Sequence, residues 1–459
     1  VASPGEAEAI VAAATATPAP VAAEPLPAPV LLDRVGWSAL RFAPFRAFIG
    51  AMLVSTTGNF IYIAALGWYV VEVTGSAAAV GLTFAVFGAP TLLLTAQAGV
   101  LTDRYGSQRM LTISVVAMGI AGLAIAAVAL MPQPPFVLIL ALAGLMGVAQ
   151  TIGAPAALAI VNDLVPPPAV SSANALNFLH MSIARIVGGF AGGAILAATS
   201  AAGGFAATGL LNLLPALAIA RLPRPEPAGA AIGHSSAIIG PLKEALGYGR
   251  RYPTLGVLLV LPIAAGLLGL SYVFMLPVAA EELGIGPGGL GTLLAASGLG
   301  GLAAGLVLER VQRRIGHGRA FLSGLLLASL SLMVFGLAPG LVLASLALAV
   351  VGGSILTYAA ANVTLIGALS PARLRGRLVS IFALFYWGMM PVGAVLLGLV
   401  AEASSARFAV LCGGLGLGLV TLLALVVRPQ LATLAVTADG RTLSGNLAGS
   451  GIGSAELES

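Results

Sequence analysis

Long apolar runs separated by short charged turns dominate the chain from Phe48 onward. In the first half the runs are Phe48–Val71, Ala77–Leu101, Met110–Met131, Phe136–Val161, Ser172–Ala198 and Phe205–Ala220. The second half carries Leu255–Ala279, Leu290–Leu308, Ala320–Leu337, Leu341–Leu369, Leu378–Val400 and Phe408–Val427. A helix needs about 20 apolar residues to cross a hydrocarbon core of ~30 Å, so each run predicts a membrane span. Gly and Pro interrupt several of them and soften their boundaries. The predicted fold is all-α, with twelve transmembrane helices in two pseudo-symmetric six-helix bundles.

The polar stretches divide the chain further. Residues 1–36 are rich in Ala and Pro, cannot bury enough surface to fold alone, and read as a disordered tail. A first bundle occupies 37–222, its lead-in from Trp37 to Phe48 mixing aromatics with Arg41 and Arg46 as an interfacial segment does. Residues 223–253 form the one long interruption, opening on Pro223-Arg-Pro-Glu-Pro and ending in Leu242-Lys-Glu-Ala-Leu. That segment predicts a cytoplasmic linker followed by an amphipathic helix on the membrane surface. A second bundle fills 254–428, and the Gly/Ser-rich 429–459 reads as a mobile tail.

Composition narrows the solvent. Of 459 residues, 59% are hydrophobic and 8% charged, against roughly 25% charged in soluble domains. Lipid is the main surroundings. The net charge of +5 does not point to nucleic acid, because the basic residues occupy turns rather than one face. Assigned alternately to two sides, the turns put Arg104, Arg109, Arg221, Arg310, Arg319, Arg377 and Arg428 with nearly all other Lys and Arg on one side. Only Arg407 falls on the other, which predicts a cell inner-membrane protein with both termini cytoplasmic. The single cysteine, Cys412, excludes an intramolecular disulfide or a cysteine metal cluster; no metal or cofactor is expected.

The turn Gly99-Val-Leu-Thr-Asp103-Arg104-Tyr-Gly106-Ser-Gln-Arg109 recurs in weaker form in the second half, where Gly305, Glu309 and Arg310 take the places of Gly99, Asp103 and Arg104. Other informative residues are Thr74-Gly75-Ser76, Val165-Pro-Pro-Pro168, Asn174-Ala175, Ala184-Arg185-Ile-Val-Gly188 and Ser370-Pro371 with Arg375-Gly376-Arg377. Together they resemble the major facilitator superfamily, in its twelve-span branch of enterobactin exporters and macrolide efflux pumps. The resemblance covers roughly Arg41 to Arg428. It implies a monomeric secondary transporter, not an enzyme, exporting a small amphiphilic molecule by alternating access with a proton gradient as energy source. It also implies that Asp103 meets the start of span eleven near Arg377 to Ser380, with Arg104 and Arg109 completing a conformational latch. The plainer alternative is a solvated turn placed by charge asymmetry alone.

Arg185 lies about 20 Å into span five at ~1.5 Å per residue, where an ionised group costs at least ~2.5 kcal/mol and needs a cavity or partner. No Asp or Glu stands at that depth in any run. Arg185 therefore either faces a central cavity and attracts anionic or electron-rich groups, or ties spans together. Other polar or aromatic candidates for the cavity are Asn59, Tyr62, Gln97, Gln150, Asn177, Tyr272, Tyr358, Asn362, Tyr386 and Trp387. They suit an amphiphile better than a sugar, which needs many hydrogen-bond partners. His180 could carry a proton or simply pack. Gly188, Gly189, Gly192 and Gly193 permit close helix contact, as do Ser297, Gly301 and Gly305.

Gly286-Pro-Gly288-Gly-Leu-Gly291 matches a dinucleotide fingerprint in form only, with no strand before it. No Walker-type lysine occurs, so the chain is not itself an ATP-driven pump. An importer or flippase on the same fold remains open, as does a non-transporting membrane sensor or scaffold. The expected partners are a small-molecule substrate and the bilayer.

Overall fold

The computed structural model describes residues 37–223, 247, 251–436 and 442–443. Among these, 12 helices are long and apolar enough to cross a membrane. In the first half they are α1 (Ala43–Thr74), α2 (Ala77–Tyr105), α3 (Ser107–Ala129), α4 (Phe136–Asp163), α5 (Val170–Ala198) and α6 (Ala201–Ala220). In the second they are α7 (Pro253–Glu282), α8 (Gly286–Ile315), α9 (His317–Leu337), α10 (Leu341–Leu369), α11 and α12 (Ala406–Val427). Helix α11 comes in two pieces, Ala372–Gly388 and Met390–Ala403. Helix α7 contains a π-helical turn at Ala265–Leu270.

The helices begin and end where local chemistry dictates. Gly75, Gly106 and Gly316 follow α1, α2 and α8 with φ of 62°, 88° and 82°, a region open to glycine because it lacks a Cβ. Ser76 and Ser405 cap α2 and α12 by accepting from the amides of Ala79 and Phe408, each at 3.1 Å. Exposed Leu and Val crowd the outer surface, among them Val426, Leu130 and Val342, the band that lipid covers.

Within each bundle the same helix pairs touch through glycine, in a repeated pattern. In the first, Gly147 of α4 lies against the Phe87 carbonyl of α2, and Gly119 and Gly122 of α3 lie against Gly209 of α6. In the second, Gly352 of α10 meets the Ser297 carbonyl of α8, and Gly414 of α12 meets the Ser329 carbonyl of α9. Without a hydrophobic driving force between helices in lipid, close backbone approach of this kind is what holds a bundle together.

Three expectations need comment. The lead-in around Trp37 is a short 3-10 turn, Ser38–Arg41, and α1 already starts at Ala43. The segment after Arg428 begins ordered rather than mobile: a 3-10 turn at Pro429–Thr433 buries Leu431, and the Leu434 carbonyl accepts from the Gly318 amide at 2.8 Å. The amphipathic linker helix and residues 1–36 lie outside the described residues, apart from a few positions near Pro253.

Candidate functional site

The two bundles meet along six helices, three from each. Phe84 of α2 stacks on Phe274 of α7 at 4.4 Å between ring centroids. Gly81 and Gly88 of α2 pack on Ala394 and Pro391 of α11, and Gly67 of α1 packs on Pro277 of α7. On the other flank, Gly189, Gly193 and Ile186 of α5 pack on Gly291, Ala295 and Gly298 of α8. All these contacts lie in the helix halves remote from the arginine-rich turns. Among the described residues these contacts close the divide at that opposite end, and none of them reaches the arginine-rich one.

A polar contact finishes the seal. Glu402, at the end of α11, accepts from the Ser76 hydroxyl at 2.9 Å and the Ala78 amide at 3.1 Å, both at the start of α2. A carboxylate at a helix N-terminus satisfies otherwise unpaired amides and complements the helix dipole. Nothing in the sequence pattern singled Glu402 out; its signal is an acid at the end of one apolar run that faces the start of another. Glu402→Ala should widen the distance between spin labels placed on Leu130→Cys and Leu337→Cys in a Cys412→Ser background. Glu402→Gln, which keeps an acceptor and loses the charge, should widen it less. Identical distance distributions in all three proteins would show that this contact does not hold the seal.

At the arginine-rich end the counterpart is open. Asp103 is exposed and, among the described residues, makes no hydrogen bond or ion pair; Arg104 lies over the ring of its neighbour Tyr105 at 5.3 Å. Gly99 lies in α2 and Gly106 makes the turn after it, while Arg109 is exposed in the first turn of α3. The expected meeting of Asp103 with the start of α11 does not occur in this state. The second-half copy sits differently from expectation. Gly106 and Gly316 make equivalent turns, with ψ of 142° and 155°. Counting back from these glycines puts Arg313, not Glu309, level with Asp103. Glu309 lies a helical turn earlier and pairs with Arg313 on its own helix at 3.4 Å; Gly305 and Arg310 share that last stretch of α8.

Arg185 stands near the middle of the 29-residue α5. Its guanidinium lies over the Phe60 ring of α1 at 5.2 Å, within the ~6 Å reach of a cation–π contact. Across the divide its Cγ lies beside Gly298 of α8. Arg185 is partly exposed and makes no hydrogen bond or ion pair among the described residues. The structure thus sets Arg185 against Phe60, which the sequence reading missed, while Tyr272 and Tyr386 are buried in this state. The Tyr272 hydroxyl shares a hydrogen bond with Ser297 at 2.9 Å. Tyr386 stacks on Phe382 and meets Trp387 edge-on at 5.0 Å, with Trp387 43% exposed.

The remaining candidates scatter. Tyr62 is 1% exposed, wedged between Phe87 and Phe205 within the first bundle. Tyr358 is also 1% exposed, against Phe321, and Asn362 donates to the Leu258 carbonyl at 3.1 Å. In this state these three are packing residues, not cavity lining. Asn59 accepts from Asn212 of α6 at 3.3 Å, in a chain continued by Ser55. Asn177 is buried, and Gln150 and Gln97 are exposed. His180 lies 3.4 Å from the Thr56 hydroxyl between α5 and α1.

Two repeated six-helix bundles closed over one end of a shared divide form the major facilitator fold. The chain belongs to the transmembrane secretion effector family, whose model matches residues 34–441. The enterobactin exporter EntS of Shigella flexneri is 26% identical to it over 392 residues, 84% of this chain and 92% of that protein. EntS of Citrobacter koseri is 25% identical over 410 residues, 87% and 96% of the two chains. Among solved structures, the nucleoside transporter NupG shares the fold with a TM-score of 0.67 at 13% identity, covering 84% of this chain and 98% of that one. A bacterial homologue of the human lysosomal transporter Spinster, inward-facing and unoccupied, gives 0.63 at 16%, covering 85% and 96%.

Proposed function

We propose that this protein exports a small amphiphilic molecule of drug, macrolide or siderophore type across the bacterial inner membrane by alternating access, as a monomer. The arginine-rich end is cytoplasmic by charge asymmetry, which makes the present state inward-open. The observation that carries the reading is the position of Arg185: a solitary charge at mid-depth, next to the seal, on the open side of the divide. The similarity to proteins named as exporters supports the outward direction. The proton-motive force supplies the energy.

In the outward-open state the seal transfers to the cytoplasmic side, and Asp103 with Arg104 and Arg109 closes against the start of α11. Charge–helix contacts of about 1 kcal/mol set the balance between the two states. In a toxicity screen with an efflux-deficient host, Asp103→Ala and Asp103→Asn should each lower protection about fivefold at normal membrane levels. Near-normal protection by both would remove the latch. Failure of the unaltered protein to protect against any amphiphile would remove export itself.

A further inference from the structure

Arg185 is the one charged side chain at mid-depth in the described spans. Each Asp and Glu among the described residues stands near a helix end: Glu72, Asp103, Asp163, Glu281, Glu282, Glu309 and Glu402. A guanidinium carries five donors in a planar fork. Phe60 covers one face of it, leaving the in-plane N–H groups, which suit the two oxygens of a carboxylate or a similar planar anion. Tyr386 is 5% exposed, packed among Tyr358, Phe382 and Trp387 in this state. Trp387, exposed beside it, offers an apolar face for the rest of the molecule.

We propose that Arg185 binds the anionic oxygen group of an amphiphilic substrate, and that the membrane potential, acting on that substrate's charge, drives its export. The inference rests on the export reading above and adds the substrate's charge and the form of the energy. Loaded, the site is electrically neutral and reorients without moving charge. Empty, it returns with Arg185 unpaired, and the positive charge is drawn toward the negative cytoplasmic side. Each turnover moves one negative charge outward. No carboxylate at mid-depth is needed to carry a proton. At a potential of about 100 mV the driving force corresponds to roughly 50-fold accumulation per charge.

The test uses the full chain in proteoliposomes, with labelled benzylpenicillin as an amphiphilic carboxylate, ethidium as a cation and chloramphenicol as a neutral probe. A potassium-diffusion potential, negative inside and without a pH difference, should drive benzylpenicillin out toward about 50-fold accumulation per 100 mV. A pH step at clamped zero potential should drive none. In a Trp37→Phe, Trp68→Phe background, benzylpenicillin should quench Trp387. Arg185→Ala should weaken that binding at least tenfold, about the value of a charge-assisted contact; Arg185→Lys should weaken it less.

Accumulation driven by the pH step, and lost in His180→Gln, would overturn the proposal in favour of proton carriage by that imidazole. Transport of ethidium or chloramphenicol without the anion would overturn it too, while leaving export standing. Transport of none of the three would count against both.

Discussion

Gly193→Leu should leave both bundles folded and lower transport about 5- to 150-fold. A Cβ at Gly193 would stand 2.8 Å from the Gly291 Cα and 2.8 Å from the Pro287 carbonyl oxygen. Both atoms belong to the backbone of α8, across the divide, so no side chain can turn aside. Overpacking of this sort costs about 1–3 kcal/mol or more while the seam is shut. It costs nothing once the seam opens. Such a difference moves a balanced two-state equilibrium about 5- to 150-fold, toward the state open on the side remote from the arginines. Transport needs both states and should fall by a similar factor. The Leu130 and Leu337 label pair should move apart, and labels on Arg221→Cys and Arg428→Cys, at the arginine-rich end, should approach. An unchanged pair of distances with full transport would mean that α5 and α8 do not separate in the cycle.

Gly300→Val should instead prevent stable folding of the second bundle. Gly300 of α8 faces the Ala349 carbonyl of α10, and a Cβ there would overlap backbone within the same bundle. Unlike the seam at Gly193, this contact has no second arrangement to escape into. The strain therefore falls on the folded state as a whole, at about 3 kcal/mol or more, the upper end of the same overpacking range. Lower yield, a lower melting temperature and loss of transport should appear together in detergent-solubilised protein. Normal melting with lost transport would show that α8 and α10 shift during the cycle. The two glycines look alike in sequence, each in a run of small residues, and differ only in which helix lies opposite.

That contrast shows how far the chain can be read without coordinates. Twelve apolar runs and the sided arginines were legible because a bilayer imposes length and charge rules on each segment independently. Arg185 was legible because a charge at mid-depth has few permitted surroundings. Tyr62, Tyr358 and Asn362, expected at the cavity and packed in this state, were hard to place for the opposite reason. A moderately polar residue in a span is tolerated against a neighbour or against a water-filled space, and helical periodicity is the same in either case. Glu309 was matched to Asp103 by residue type, whereas the turn is set by the glycine that ends the helix, which lies a turn further on at Gly316. Phe60 and Glu402 act only through partners distant in sequence, so no local pattern marks them.

Helices α7 and α11 are each interrupted near mid-length, and the interruptions touch. The Ser271 hydroxyl, just after the π-helical turn, lies 2.8 Å from the Gly266 carbonyl and 3.0 Å from the Met390 carbonyl, where α11 resumes. Tyr272–Glu282 and Met390–Ala403 are also the pieces that press against the first bundle, at Gly67 and Gly81. Bending at one break must then drag the other along. Ser271→Ala would remove the hydrogen bond that joins the two breaks.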